Sequence, residues 1–179
     1  TIYSSIGNAF FSTFPQDIRD CLDPLIDATL EIYENVLNGP LKPTPSKQHY
    51  LFNLRDVSKV IQGILMTKSV SIQNDELFMK LWVNESFRVF YDRLINEEDR
   101  KWYKDFIIDL LNKNFKMSPD RDELFDNLRF GDLLKLDSPV QYYEYIGDKP
   151  KLLKTLHGAL DEYNMSNSSK MNLVLFDDA

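Results

Sequence analysis

DELFMKLWVNESFRVFYDRLI, residues 75–95, is the stretch on which the fold turns. Phe78, Trp82, Val83, Phe87, Val89, Phe90 and Leu94 recur at helical spacing, yet together they cover most of the helix circumference. Only one stripe is polar: Lys80, Asn84, Arg88 and Asp92, each four residues from the next. A helix apolar nearly all round must be enclosed by others, so a mainly α domain with this helix at its centre is predicted. Asn74 stands where a side-chain cap is wanted.

The flanks supply the enclosing helices. Asn53 is a good N-cap, and Asp56 three residues on completes a capping box in its less usual acidic form. Leu54, Val57, Val60, Ile61, Ile64 and Leu65 then trace one face. On the other side Asn96 and Asp99 are placed to cap a helix through about 113, with Trp102, Phe106, Ile107, Leu110 and Leu111 as its inner face and Phe115 near its end. Upstream, Ile2, Ile6, Ala9, Phe10 and Phe14 share a helical face before Pro15. A fresh start is expected at Asp23-Pro24, with Asp23 as cap and Pro24 at the first position, followed by Leu25, Ile26, Thr29, Tyr33, Val36 and Leu37. Residues 39–48, GPLKPTPSKQ, hold three of the eight prolines and read as a stiff extended linker, the clearest boundary in the chain.

Beyond Ser118-Pro119 the texture changes. Gly131, Pro139 and the run Tyr142, Tyr143 and Tyr145 suit a short strand or an ordered loop. Residues 149–163 return to helix through Leu152, Leu153, Leu156, Leu160 and Tyr163, and 164–170 form a polar break. Leu173, Val174, Leu175 and Phe176 fit strand or helix equally by period. The chain stops within that apolar run, which reads as a cut through a longer protein.

Composition narrows the function classes. The 179 residues are enough for one large domain or two small ones with a real core. A net charge of −7, with Lys and Arg interleaved among acids, argues against nucleic acid and against an anionic membrane surface. No stretch approaches the roughly 20 apolar residues that span a bilayer, and the start lacks the layout of a secretory leader. Cys21 is the single cysteine. The sequons at Asn84, Asn164 and Asn167 would matter only in a secreted protein, and Asn84 lies in a helix; a cytosolic setting is favoured.

A complete active site is not legible. Phosphate-binding loop and dinucleotide patterns are absent from the sequence. His49 and His157 lie far apart, and surface or capping roles are favoured over metal ligation. Asp120, Asp122 and Glu123 hint at a calcium loop, but the required glycine position is Phe125 and the twelfth is Gly131, so an acidic helix start is favoured. Cys21 fits a buried structural thiol. Arg55 is the exception: it sits in the first turn of a helix, where the dipole prefers acids. Either it pairs with Asp56 or solvent as an ordinary surface residue, or it and the helix N-terminus face an anion such as a phosphate.

The run HYLFNLRDVSKVIQGI at 49–64 strongly resembles the dynein heavy chains, where it opens the helical lid of the third AAA+ module of the motor ring. The resemblance continues in order through LWVNESFRVFYDRLINEEDRKWY at 81–103, FGDLL at 130–134, ALDEYN at 159–164 and MNLVLFDDA at 171–179. Its wording is more similar to axonemal than to cytoplasmic heavy chains. The resemblance implies a mainly α fold, a AAA+ lid-type helical bundle with flanking helices and little or no β. Residues 1–40 would be closing helices of the preceding large subdomain, 41–127 the lid, and 128–179 the run-in to the fourth module.

The implied function is that of a non-catalytic lid in an ATP-driven, microtubule-based motor. Arg55 falls where a sensor-2 arginine is expected, touching nucleotide phosphate from the lid side. The phosphate-binding motifs of the module would lie upstream, so no cofactor is expected for this stretch alone, and ATP or ADP with Mg in the whole module. Asn84 departs from relatives, which often have His there. Implied partners are neighbouring AAA+ modules, microtubules and other dynein subunits, with no nucleic acid and no membrane. The implied location is the cytoplasm and cytoskeleton, in the axoneme of a cilium or flagellum. The competing expectation is a stand-alone helical module that binds another protein.

Overall fold

The computed structural model describes residues 2–126, 128–135 and 140–174. Its helices are α1 (Ile2–Phe10), α2 (Gln16–Asn38), α3 (Leu54–Ile64), α4 (Asp75–Val89), α5 (Glu97–Phe115), α6 (Arg121–Asp126) and α7 (Lys149–Ser166). The described strands are β1 (Phe130–Gly131) and β2 (Glu144–Tyr145), an antiparallel pair with Phe130 opposite Tyr145. The mainly α expectation is therefore met, and the tyrosine run supplies a short strand.

α4 is the central helix, as its sequence requires. Phe78, Leu81, Trp82 and Val83 are fully enclosed, and α2, α3 and α5 pack around them. Asn74 Oδ1 accepts from the Leu77 amide at 2.8 Å and so starts the helix. It ends earlier than the apolar pattern suggested: Val89 is the last α-helical residue, and Tyr91–Arg93 tighten into a 3-10 turn. The Trp82 indole N–H donates to Thr29 Oγ1 on α2 at 2.9 Å, which satisfies a polar atom deep in the core.

Upstream, three expectations are corrected. α2 does not restart at Asp23-Pro24; it runs unbroken with Pro24 inside it. An interior proline costs about 3 kcal/mol. Ile18, Leu22, Leu25 and Ile26 line one buried face across it, each stabilising by about 1.5–3 kcal/mol, so continuity prevails. α1 turns its predicted apolar face outward: Ile2 and Ile6 are exposed, and the helix packs instead through Gly7 against Leu22, followed by buried Phe11 and Phe14. On α3, Leu54 is exposed while Val57, Val60, Ile61 and Ile64 are buried.

The proline-rich stretch departs from a uniformly extended linker: it is extended over 41–44, then folds into two turns in which the Lys47 amide donates to the Thr44 carbonyl at 2.9 Å and the Tyr50 amide to the Lys47 carbonyl at 3.1 Å. Leu41 and Tyr50 are buried, and Lys47 Nζ lies 2.5 Å from Asp99 Oδ2 at the start of α5. The Tyr50 hydroxyl donates to the same oxygen at 2.9 Å and accepts from the Ile95 amide at 2.9 Å. Asp99 is thus occupied by the linker, and no side-chain cap bond joins Asn96 to α5. One hydrophobic cluster takes residues from both sides of the linker, from Phe11 to Leu124. Phe115 ends α5 as expected, with Lys116 in the left-handed conformation beyond it. Pro139 and residues 175–179 lie outside the described residues.

Candidate functional site

Arg55 is the second residue of α3, and the local sequence builds that helix start tightly. Asn53 Oδ1 accepts from the Arg55 amide at 2.8 Å, and the Asn53 amide donates to Asp56 Oδ2 at 3.0 Å, closing the capping box. Asp56 is 1% exposed, yet it is not the partner of Arg55. Arg93, from the turn after α4, donates to Asp56 Oδ1 at 2.5 Å and Oδ2 at 3.3 Å, and Lys59 Nζ adds a contact at 3.2 Å. Burial pushes the Asp56 carboxyl upward, but Arg93, the Asn53 amide and Lys59 outweigh it and hold it below the ordinary carboxylate range.

Arg93 is itself fixed, its guanidinium 5.1 Å from the centre of the Phe52 ring. His49 Nε2 donates to the Arg93 carbonyl at 3.1 Å, which anchors the turn after α4. With Asp56 saturated, the exposed Arg55 side chain makes no ion pair or hydrogen bond among the described residues. What remains at the end of α3 is a cation that can turn toward an anion, over a helix N-terminus that favours one.

A second polar cluster lies on the other flank of α3. Glu85, on α4, is fully buried. Its Oε2 accepts from Arg88 Nε at 3.0 Å and Nη2 at 2.7 Å. Its Oε1 accepts from the Tyr143 hydroxyl at 2.5 Å and from Asn84 Nδ2 at 3.1 Å. Burial, then the hydrogen bond and charge of Glu85, push the Tyr143 phenol far above its ordinary range. The polar stripe of α4 is therefore partly roofed by the tyrosine run. Sequence reasoning missed Glu85 and Tyr143; the signals available were a Glu beside the stripe and Gly63 on the facing helix.

The other candidates fall elsewhere. Asp120 Oδ1 accepts from the Glu123 amide at 3.0 Å, so the acidic stretch opens α6. A cavity of about 400 Å³ lies between that turn, the start of α4 and the end of α5, lined by Met79, Leu111, Met117 and Leu124 with Asp75 and Glu76 at its edge. Arg55 is not part of it. Cys21 is half-buried, and burial, then Asp75, Asp20 and Asp17, push its thiol up. His157 is exposed on α7.

Residues 6–100 match the sequence model of the family described as "Dynein heavy chain, ATPase lid domain". The chain is 39% identical over 163 residues to dynein axonemal heavy chain 1 of Mus musculus, covering 91% of this chain and 4% of that protein. It is 36% identical over 181 residues to dynein axonemal heavy chain 6 of Homo sapiens, covering 99% of this chain and 4% of that protein. It is 41% identical over 182 residues to human dynein axonemal heavy chain 10, with 99% and 4% covered. The chain spans only a small part of the length of these relatives. Together with the buried helical body, the matched stretch shows that the chain belongs to the dynein heavy-chain ATPase lid family.

Proposed function

We propose that the chain serves as the lid of a AAA+ module, the third, in an axonemal dynein heavy chain, and that Arg55 reads the nucleotide held by that module. The observation that carries the reading is the contrast between two neighbours. Asp56 is buried and saturated by Arg93, Lys59 and the Asn53 amide, whereas the Arg55 guanidinium is exposed and unpaired among the described residues. An arginine at a helix N-terminus gains little from the helix itself, because the dipole opposes it. A phosphate bound there would accept two parallel bonds from its planar fork.

In this reading ATP or ADP with Mg sits against the large subdomain upstream, and Arg55 approaches from the lid side. Charge-assisted bonds form when phosphate is present and are lost when it leaves. The close-packed body around α4 then moves as a rigid unit. Its rotation reaches the neighbouring modules and modulates microtubule release, in a ciliary or flagellar axoneme. In this reading residues 1–40 are closing helices of the preceding large subdomain, 41–127 the lid and 128–179 the run-in to the next module, and the helices on both sides of residue 40 share one hydrophobic cluster.

The test is Arg55→Ala and Arg55→Lys in the intact heavy chain. Arg55→Ala is expected to weaken nucleotide binding at this module by roughly tenfold or more, the scale of a lost charge-assisted bond. Lys is expected to restore only part, since it cannot present a fork. Unchanged nucleotide affinity together with unchanged motility regulation would sink the assignment.

A further inference from the structure

Glu85 is a buried carboxylate that the nucleotide reading does not use. A carboxylate inside a helical core carries a desolvation cost that an apolar residue of the same size would avoid, so its surroundings should show what it holds. On one side is α3: a Cβ added at Gly63 would stand 1.8 Å from Glu85 Oε2, so the glycine makes room for the carboxylate. Arg88 fixes that same oxygen with two bonds. The other oxygen takes the Tyr143 hydroxyl, 58 residues along the chain, from the segment carrying β2. Asn84 Nδ2 bridges the two at 3.1 Å and 3.4 Å.

The neighbouring tyrosines extend the contact. Lys68, just after α3, stands over the Tyr142 ring at 4.5 Å, and Lys80 of α4 stands over Tyr145 at 6.0 Å. Three tyrosines thus meet a row of cation, carboxylate and cation, with only Tyr143 reaching the buried group. β2 is in turn tied to β1, and the Ile146 amide donates to the Arg129 carbonyl at 2.8 Å. This row is one attachment of the hairpin to the helical body, beside Leu128 and Phe130, which pack against the core, and the Thr67 hydroxyl, which donates to the Tyr143 carbonyl at 3.5 Å.

We propose that the row of Lys68, Glu85 and Lys80 is the docking surface of the tyrosine segment 142–145, and that Glu85, held by Arg88 and set against Gly63, is the joint that passes displacements of α3 to it. Glu85 is a positioning residue. Any shift of α3 against α4 presses on a carboxylate that cannot yield without moving the Tyr143 hydroxyl. Its use in a motor rests on the lid reading above, where it would carry motion from the Arg55 helix into the downstream segment. The joint itself stands without nucleotide.

The test is a mutant cycle on the full 179-residue chain, read by hydrogen exchange of residues 140–147. Gly63→Ala is expected to raise exchange there by roughly tenfold, the size of a coupling between contacting residues. In a Tyr143→Phe background the same substitution should add less than about twofold. An equal rise in both backgrounds, or none in either, overturns the joint. Should Gly63→Ala abolish the cooperative thermal transition, Glu85→Gln replaces it in the same cycle, with the same outcomes deciding. No nucleotide is present, so failure here leaves the Arg55 reading intact, and failure of that reading leaves the joint intact.

Discussion

Arg93 Nη2 lies 2.5 Å from Asp56 Oδ1, and this pair, rather than Arg55 with Asp56, closes the start of α3 against the turn after α4. The carboxyl is held below its ordinary range, so its contribution to stability is full above the unfolded value of about pH 4 and is lost as pH falls through the folded one. Asp56→Asn is expected to cost about 2 kcal/mol at neutral pH, because Arg93 loses a charged acceptor. It should also flatten the acid side of the stability curve. Thermal unfolding followed by circular dichroism from about pH 7 down to about pH 3 checks both. An Asn variant as acid-sensitive as the parent would contradict the pairing.

Thr29→Val keeps the shape of the residue under Trp82 but removes the acceptor of a fully buried indole N–H. The expected loss is about 1–3 kcal/mol, the cost of an orphaned buried donor. Thr29→Ser keeps the oxygen and should cost nearer the value of one methyl, about 1 kcal/mol. Urea midpoints at constant slope measure the difference.

The Tyr143 phenol is raised by burial first and then by the bond and charge of Glu85. A group raised in the fold favours its protonated form, so its contribution is full below the unfolded value of about pH 10 and is lost as pH climbs through the folded value. Tyr143→Phe should therefore make the alkaline loss of stability shallower. Spectrophotometric titration of the phenolates should show one fewer late-titrating tyrosine, with Tyr103, raised by its own burial, still present. An unchanged titration would mean that Tyr143 is not on Glu85.

The helices that carry the fold were legible because their signals are local. The capping box of Asn53 and Asp56, the cap at Asn74 and the all-round apolar pattern of α4 are each read within one or two turns. What escaped was decided across the chain. The outward face of α1 follows from Gly7 letting the backbone approach Leu22, which no apolar period records. The unbroken α2 follows from a buried face spanning Pro24. Glu85 escaped because helical period alone cannot foresee a tyrosine 58 residues away. The position of Arg55 at the helix start was readable; its freedom was not, since it depends on Arg93, 37 residues beyond the aspartate it claims. The role given to Arg55 comes from the family resemblance, and a guanidinium unpaired among the described residues supports it.

Cryo-electron microscopy of the intact heavy chain with nucleotide bound to this module would show where the Arg55 side chain goes. The Arg55 guanidinium is expected within about 3 Å of a phosphate oxygen, with the Asp56–Arg93 pair unchanged beside it. An Arg55 paired with a protein carboxylate, while other side chains hold the phosphates, would contradict it.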